Sequence, residues 1–218
     1  VTTYLGNGPK RGYDRAVLLA HGAGTDLTAP ALVVVAEALA EAGIPSLRFN
    51  YPYRDAGRKA PDRALVLLEA TRAAVAELAR RSRLPVERLV VGGRSMGGRY
   101  CSMTVGAEVE PVRVLGLLLL GYPLHAAGRP EKVRDDHFPR ITVPTLFVSG
   151  TRDALAAADD LERAAQKVEG PVSWCWLETA DHGFKPLRSS GRSLDDVLAT
   201  AAAATVQWVS SLDAGGVG

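Results

Sequence analysis

The stretch Arg88-Leu89-Val90-Val91-Gly92-Gly93-Arg94-Ser95-Met96-Gly97-Gly98 decides the fold. Residues 88–91 form an apolar run suited to a strand buried on both faces, and 97–105 continue as a helix. A strand passing through a glycine-rich turn straight into a helix is the joint from which α/β sheets are built. Within the turn, Gly93-x-Ser95-x-Gly97 lifts a serine hydroxyl above the sheet, and the glycines relieve clashes at strained backbone angles. The helix N-terminus beside it offers unpaired N–H groups, that of Met96 first, to a developing oxyanion. The same stretch lacks the Lys-Ser/Thr of a phosphate-binding loop and the glycine spacing of a dinucleotide fingerprint.

Outward from this turn, strands and helices alternate. Strands are expected at 16–20, 46–50, 88–91, 112–120, 145–149 and 173–177. Helices are expected at 31–41, 61–81, 97–105, 155–168 and 194–212. Pro30 suits the first turn of its helix, Gly43 follows the end, and Leu84-Pro85 stops the long Ala/Leu/Arg helix. The pattern predicts an α/β fold in which a mostly parallel sheet is wrapped by helices on both faces, a three-layer α/β/α sandwich. One domain fits over 1–212, with 213–218 as a loose tail. Ligands of such sheets bind at the carboxyl ends of the strands, so the loops after residues 20, 50, 91, 120, 149 and 177 matter most.

Those loops carry a constellation. His21-Gly22-Ala23-Gly24 follows the first strand, where the Ala23 N–H can join that of Met96 in an oxyanion hole. Asp153, after the fifth strand, is placed to orient and charge-balance a histidine; Asp159 and Asp160 belong to a solvated helix face. Of the four histidines, His182 alone follows the last strand, where the base of a Ser…Asp…His order belongs. Each signal is weak alone; three roles in the right loops and the right order are not. His125, at another carboxyl end, either touches substrate or makes a structural hydrogen bond. After the second strand, Tyr51, Arg58 and Lys59 are candidate substrate contacts. Arg54, Arg58, Lys59 and Arg63, near Arg48, outnumber Asp55 and Asp62 and could steer anions. The other reading gives Arg63 to the next helix and pairs Arg48 internally with an acid.

Composition excludes several classes. The 218 residues are 47% hydrophobic and 23% charged with a net charge of +2, too balanced for a disordered chain or a dedicated nucleic-acid binder. No apolar stretch approaches the ~20 residues of a membrane span, and the first fifteen residues or so show no secretory signal. Two cysteines, Cys101 and Cys175, make no disulfide framework, and a reducing cytoplasm is expected. Cys101 reads as core and Trp174 and Trp176 as packing. Neither paired Cys/His spacing nor an H-E-x-x-H pattern calls for a metal, and no cofactor motif stands out.

HGAG, GGRSMGG, SGTRD and DHGF together resemble the α/β-hydrolase superfamily, near its dienelactone-hydrolase-like branch. RFNYPYRDAGRKAPDR, GGRSMGGR and GYPLH are similar to small bacterial α/β-hydrolase-like proteins related to a hydrolase-like domain in a subunit of the nonspecific lethal chromatin complex. The resemblance runs from about residue 16 to 212 and implies Ser95 as nucleophile, Asp153 as acid and His182 as base. It implies little about substrate, because some relatives resemble non-enzymatic domains. The first hairpin of the full fold is reduced to at most residues 2–5, and no cap domain fits within 122–140. Two functions follow: a serine hydrolase acting on a small, short and fairly polar acyl compound, or a catalytically idle module used for binding.

Overall fold

Leu89–Arg94 forms β4, the central strand of a seven-stranded sheet ordered β1-β3-β2-β4-β5-β6-β7 among the described residues. The structure, a computed structural model, describes residues 2–213; beyond Asp213 the expected tail lies outside the described residues. The other strands are β1 (Tyr4–Asn7), β2 (Ala16–Ala20), β3 (Ser46–Phe49), β5 (Gly116–Leu120), β6 (Thr145–Gly150) and β7 (Val172–Leu177). All neighbours pair in parallel except β1, which runs antiparallel to β3. That single edge strand, set two residues later than expected, is what remains of a first hairpin.

Side-chain alternation sorts the core into two layers. Leu89 and Val91 join Ala16, Leu18, Leu117 and Leu119 against α3 (Ala64–Ser82), α4 (Met96–Val105) and α5 (Ala158–Ala165). Val90 joins Val17, Leu19 and Leu118 on the opposite face, against α1 (Pro30–Glu41) and α6 (Leu194–Ser211). The three-layer reading therefore holds. Among the described residues no helix is long and apolar enough to cross a membrane.

Local chemistry explains the element ends. In α1, Gly43 at φ 77° donates to the Ala40 carbonyl and Ile44 to that of Leu39, and the two apolar side chains of that closing pair share one core layer. α6 opens on a reciprocal Ser193–Asp196 capping box. Three expectations need correction. The strand expected at 112–120 is only Gly116–Leu120, because Val112 gives its N–H to Thr104 of α4 instead of to a strand. α3 begins at Ala64, after an extended Arg63 at ψ 153°. α5 begins at Ala158, since Asp153 takes the Leu155 N–H and Ala157 is extended at ψ 142°. The loop expected at 51–60 holds one short helix, α2 (Pro52–Asp55).

Candidate active site

At the end of β4 the chain turns on Ser95, at φ 50° and ψ −114°, a conformation L-residues rarely adopt. The turn is held by the Ser95 N–H donating to Leu120 O (2.9 Å) and by Arg99 N–H donating to Ser95 O (3.0 Å), which starts α4. Glycine is compulsory here because three segments meet. A Cβ on Gly93 or Gly97 would lie 2.1 or 2.3 Å from the Ala20 carbonyl oxygen, and one on Gly98 would lie 2.7 Å from that of Gly93.

The turn delivers Ser95 Oγ to within 2.9 Å of His182 Nε2, and His182 Nδ1 lies 2.7 Å from Asp153 Oδ2. Asp153 is buried, and its other oxygen accepts the Leu155 N–H at 2.8 Å. An ionised carboxylate only accepts, so Nδ1 carries the imidazole proton and Nε2 faces the hydroxyl as an acceptor. Asp181 Oδ1 accepts the N–H groups of Gly183 (2.8 Å) and Lys185 (3.0 Å), and buried Phe184 anchors the turn from below. Gly150 lets this loop meet that of Asp153, since a Cβ there would stand 2.3 Å from Ala180 O. Arg152 N–H closes the contact on the same carbonyl at 2.9 Å.

The loop after β2 also reaches the serine: a Cβ on Gly22 would lie 3.6 Å from that of Ser95. Among the described residues neither the Ala23 nor the Met96 N–H has an acceptor within the protein, as an oxyanion hole requires. His21 carries no signal of its role in the sequence around it. It is buried, accepts the Tyr51 N–H on Nε2 (3.1 Å), and so directs Nδ1–H to Gly22 O (2.8 Å). Burial lowers its pKa, keeping it a neutral pin between the loops after β2 and β3.

Arg94 is a second supporting residue of the site. Its guanidinium lies 4.4 Å over the Phe184 ring and reaches the Leu120 and Gly121 carbonyls at 3.3 and 3.4 Å. Burial pushes its pKa down to about 10 while Asp153 and Asp181 pull upward, so it remains a cation beneath the acid and base loops. Its signal was its place inside the Gly93-x-Ser95 turn. Cys101 lies in the core as expected, donates to Gly92 O (3.3 Å), and burial pushes its thiol up to about 12. Trp174 and Trp176 stack on each other with centroids 5.0 Å apart, the packing role read for them.

Among the described residues, none of the other expected contacts bonds to the side chains of Ser95, His182 or Asp153. Tyr51 is fully buried, with its hydroxyl 3.1 Å from Thr71 Oγ1 and its ring against His21; it is core and cannot touch a substrate. Its aromatic ring at a strand end turned inward, where the apolar layer between β3 and α3 had room for it. Arg58 is paired with Asp62 at 2.6 Å, and Arg54 with Asp26 at 3.4 Å. Arg48 is buried, but it donates to Leu27 O (2.7 Å) and Asn7 Oδ1 (3.1 Å) and not to an acid. Lys59 stays exposed. His125 is half-buried, with Nδ1 2.9 Å from Ala126 O, and lines a hollow shared with Asp160 and Lys167.

A family model described as "Alpha/beta hydrolase domain" matches residues 13–210. The chain belongs to the alpha/beta hydrolase family. Other members of this fold are similar over nearly their whole length. An alpha-beta serine hydrolase homologue from Coxiella burnetii is 16% identical, with a TM-score of 0.70 over 93% of this chain and 91% of that one. A dienelactone hydrolase from Anabaena variabilis is 19% identical, with a TM-score of 0.69 over 97% and 92%. A serine hydrolase without lid from Xanthomonas campestris is 19% identical, with a TM-score of 0.67 over 95% and 89%. At these identities the likeness is one of fold. The similarity of 48–63, 92–99 and 121–125 to the chromatin-complex domain stands on the sequence alone.

Proposed function

We propose that this alpha/beta hydrolase is a serine esterase or thioesterase of small acyl compounds, acting through Ser95, His182 and Asp153. One observation carries the reading: the unbroken Ser95–His182–Asp153 hydrogen-bond chain, closed at 2.9 and 2.7 Å beside two free amides. His182 takes the hydroxyl proton as Ser95 Oγ attacks the acyl carbon, and Asp153 balances the resulting imidazolium. The Ala23 and Met96 N–H groups receive the oxyanion. His182 then protonates the leaving group, and a water activated by the same imidazole hydrolyses the acyl-enzyme.

Short, fairly polar substrates suit the absence of a cap. The β5–β6 connection holds, among the described residues, no helix longer than the single turn Phe138–Arg140, so little apolar wall could enclose a long chain.

The test is fluorophosphonate labelling together with p-nitrophenyl acetate hydrolysis by the protein and its Ser95→Ala variant. The expected result is labelling and turnover in the first and a loss of roughly 10⁴–10⁶ in kcat in the second. Neither labelling nor turnover in the unaltered protein would leave the idle binding module instead.

A further inference from the structure

We propose that the cleft between α4 and the β5–β6 connection binds a phosphate group, and that the natural acyl substrate carries one. The choice of substrate rests on the hydrolase reading above; the binding does not.

The cleft, of about 450 Å³, is walled by Arg99 of α4 and by Arg129, Lys132, Arg134 and Arg140 from the connection, with Asp136 the one acid on its rim. These cations have no carboxylate partner among the described residues. Among the described residues, the side chains of Arg99, Arg129, Lys132 and Arg134 make neither an ion pair nor a hydrogen bond, and Arg140 donates only to Gly106 O at 2.8 Å. The contrast with the basic run at 48–63 is physical: there Asp62 and Asp26 stand opposite the arginines. Here the adjoining carboxylate, Asp135, is committed to Lys167 at 2.8 Å outside the cleft.

Arg99 is half-buried with its guanidinium 5.5 Å over the Tyr100 ring, and its Nε is buried with no partner, so that nitrogen has lost water without gaining an acceptor. Arg99 also depresses the pKa of Arg134, in addition to the larger effect of burial. Two such forks facing one space repel each other until an anion sits between them. A dianion with three terminal oxygens satisfies several N–H donors together, which a single carboxylate does less completely.

Position ties the cleft to Ser95. Arg99 stands one turn along α4 from the serine, about 6 Å along the axis, and helical side chains lean toward the N-terminus, here toward Ser95. Ser95 and His182 are not among the residues that wall the cleft, so a substrate held there by its phosphate must extend from Arg99 back along α4 to reach the hydroxyl. The space also suits such a ligand, as small-molecule sites run from roughly 300 to 1,000 Å³.

Calorimetric titration with pyrophosphate, as probe, tests the cleft without any turnover. The expected result is binding that weakens as NaCl rises from about 0.05 to about 0.5 M and falls at least about tenfold in Arg99→Gln/Arg134→Gln. Neither side chain holds the fold by a hydrogen bond, and circular dichroism verifies the variant. Lys132→Gln, at an exposed position, serves as a second, milder probe with a smaller loss in the same direction.

A kinetic arm compares kcat/KM for matched p-nitrophenyl esters ending in phosphate or in a neutral hydroxyl. The phosphate-to-neutral ratio is expected to exceed one and to drop about tenfold or more in the double variant. Undiminished pyrophosphate binding in both variants, no binding at millimolar concentration, or tighter binding of succinate than of pyrophosphate would each overturn the phosphate site. Binding lost in the variants while neither ester turns over would keep the site and remove the hydrolase reading. Turnover of both esters with an unchanged ratio would remove the substrate assignment alone.

Discussion

Lowering the pH should loosen this protein through one buried imidazole. His137 is buried beside the Phe138 ring at 5.1 Å, with Nε2 2.7 Å from Ser102 Oγ. Desolvation, with Arg99 and Arg140 facing it, lowers its pKa from 6.5 to about 4, against a smaller upward pull from Asp136 and Asp135. A histidine whose folded pKa is depressed is held neutral in the native state, while the unfolded chain gains a proton below 6.5. Stability is therefore full above that value and is lost as the pH falls toward 4, with a ceiling of roughly 3 kcal/mol. At about pH 4.5 the same two constants give a loss of about 2.5 kcal/mol, or about 1 M in urea midpoint for a chain of this size. The assay is urea unfolding followed by circular dichroism at about pH 7.5 and 4.5, for the protein and His137→Gln. The variant gives up packing at both pH values. What distinguishes it is a fall in stability between the two that is smaller by about 2.5 kcal/mol. Equal falls in the two proteins would refute the assignment and leave the acid sensitivity to carboxylates.

Gly97→Ala puts a methyl 2.3 Å from the Ala20 carbonyl oxygen, so β2 or α4 must shift. Because a misplacement of about 1 Å at a reacting centre can cost roughly 10²-fold, ester turnover should fall at least that far while far-UV circular dichroism stays native-like. Iodoacetamide at about pH 8 should label half-buried Cys175 before Cys101, whose thiol is fully buried and raised to about 12, with Cys101 reacting only after urea unfolds the chain. Mass spectrometry of the labelled peptides reports the order, and early modification of Cys101 would contradict its placement in the core.

Most of the fold was legible because burial on both faces writes strands such as Ala16–Ala20 and Gly116–Leu120 as unbroken apolar runs. The Ser95 turn was legible because close backbone approach admits only glycine at 93 and 97. Element ends were less so. Residues 112–115 look like strand, yet Val112 donates to Thr104 of α4 and only Leu115 reaches the sheet, at Leu89 O. Long-range placement was least visible. Nothing local separates Tyr51, an inward-facing core ring, from a substrate-facing one. A run of basic residues in sequence drew the eye to 48–63, where acids one turn or one loop away pair with the arginines. The unpaired cations gather only when α4 and the β5–β6 connection meet in space. Arg94 and His21 act through partners in other loops, so their sequence neighbours could not announce them.

The strand order has a further consequence for a chain emerging from a ribosome. After β2, each new strand of the series β4, β5, β6 and β7 adds to the outer edge left by its predecessor, in the order of synthesis. The contacts that hold the Ser95 turn come from Ala20, against Gly93 and Gly97, and from Leu120, both made long before residue 182 exists. The hydroxyl is thus mounted early, while its partner arrives 87 residues later in the chain. At translation rates of about 5–20 residues per second that interval lasts several seconds or more. On the mechanism proposed above, the nascent polypeptide carries a presented serine without its base throughout that interval, and a product cut short after β7 would not turn over acyl groups around it.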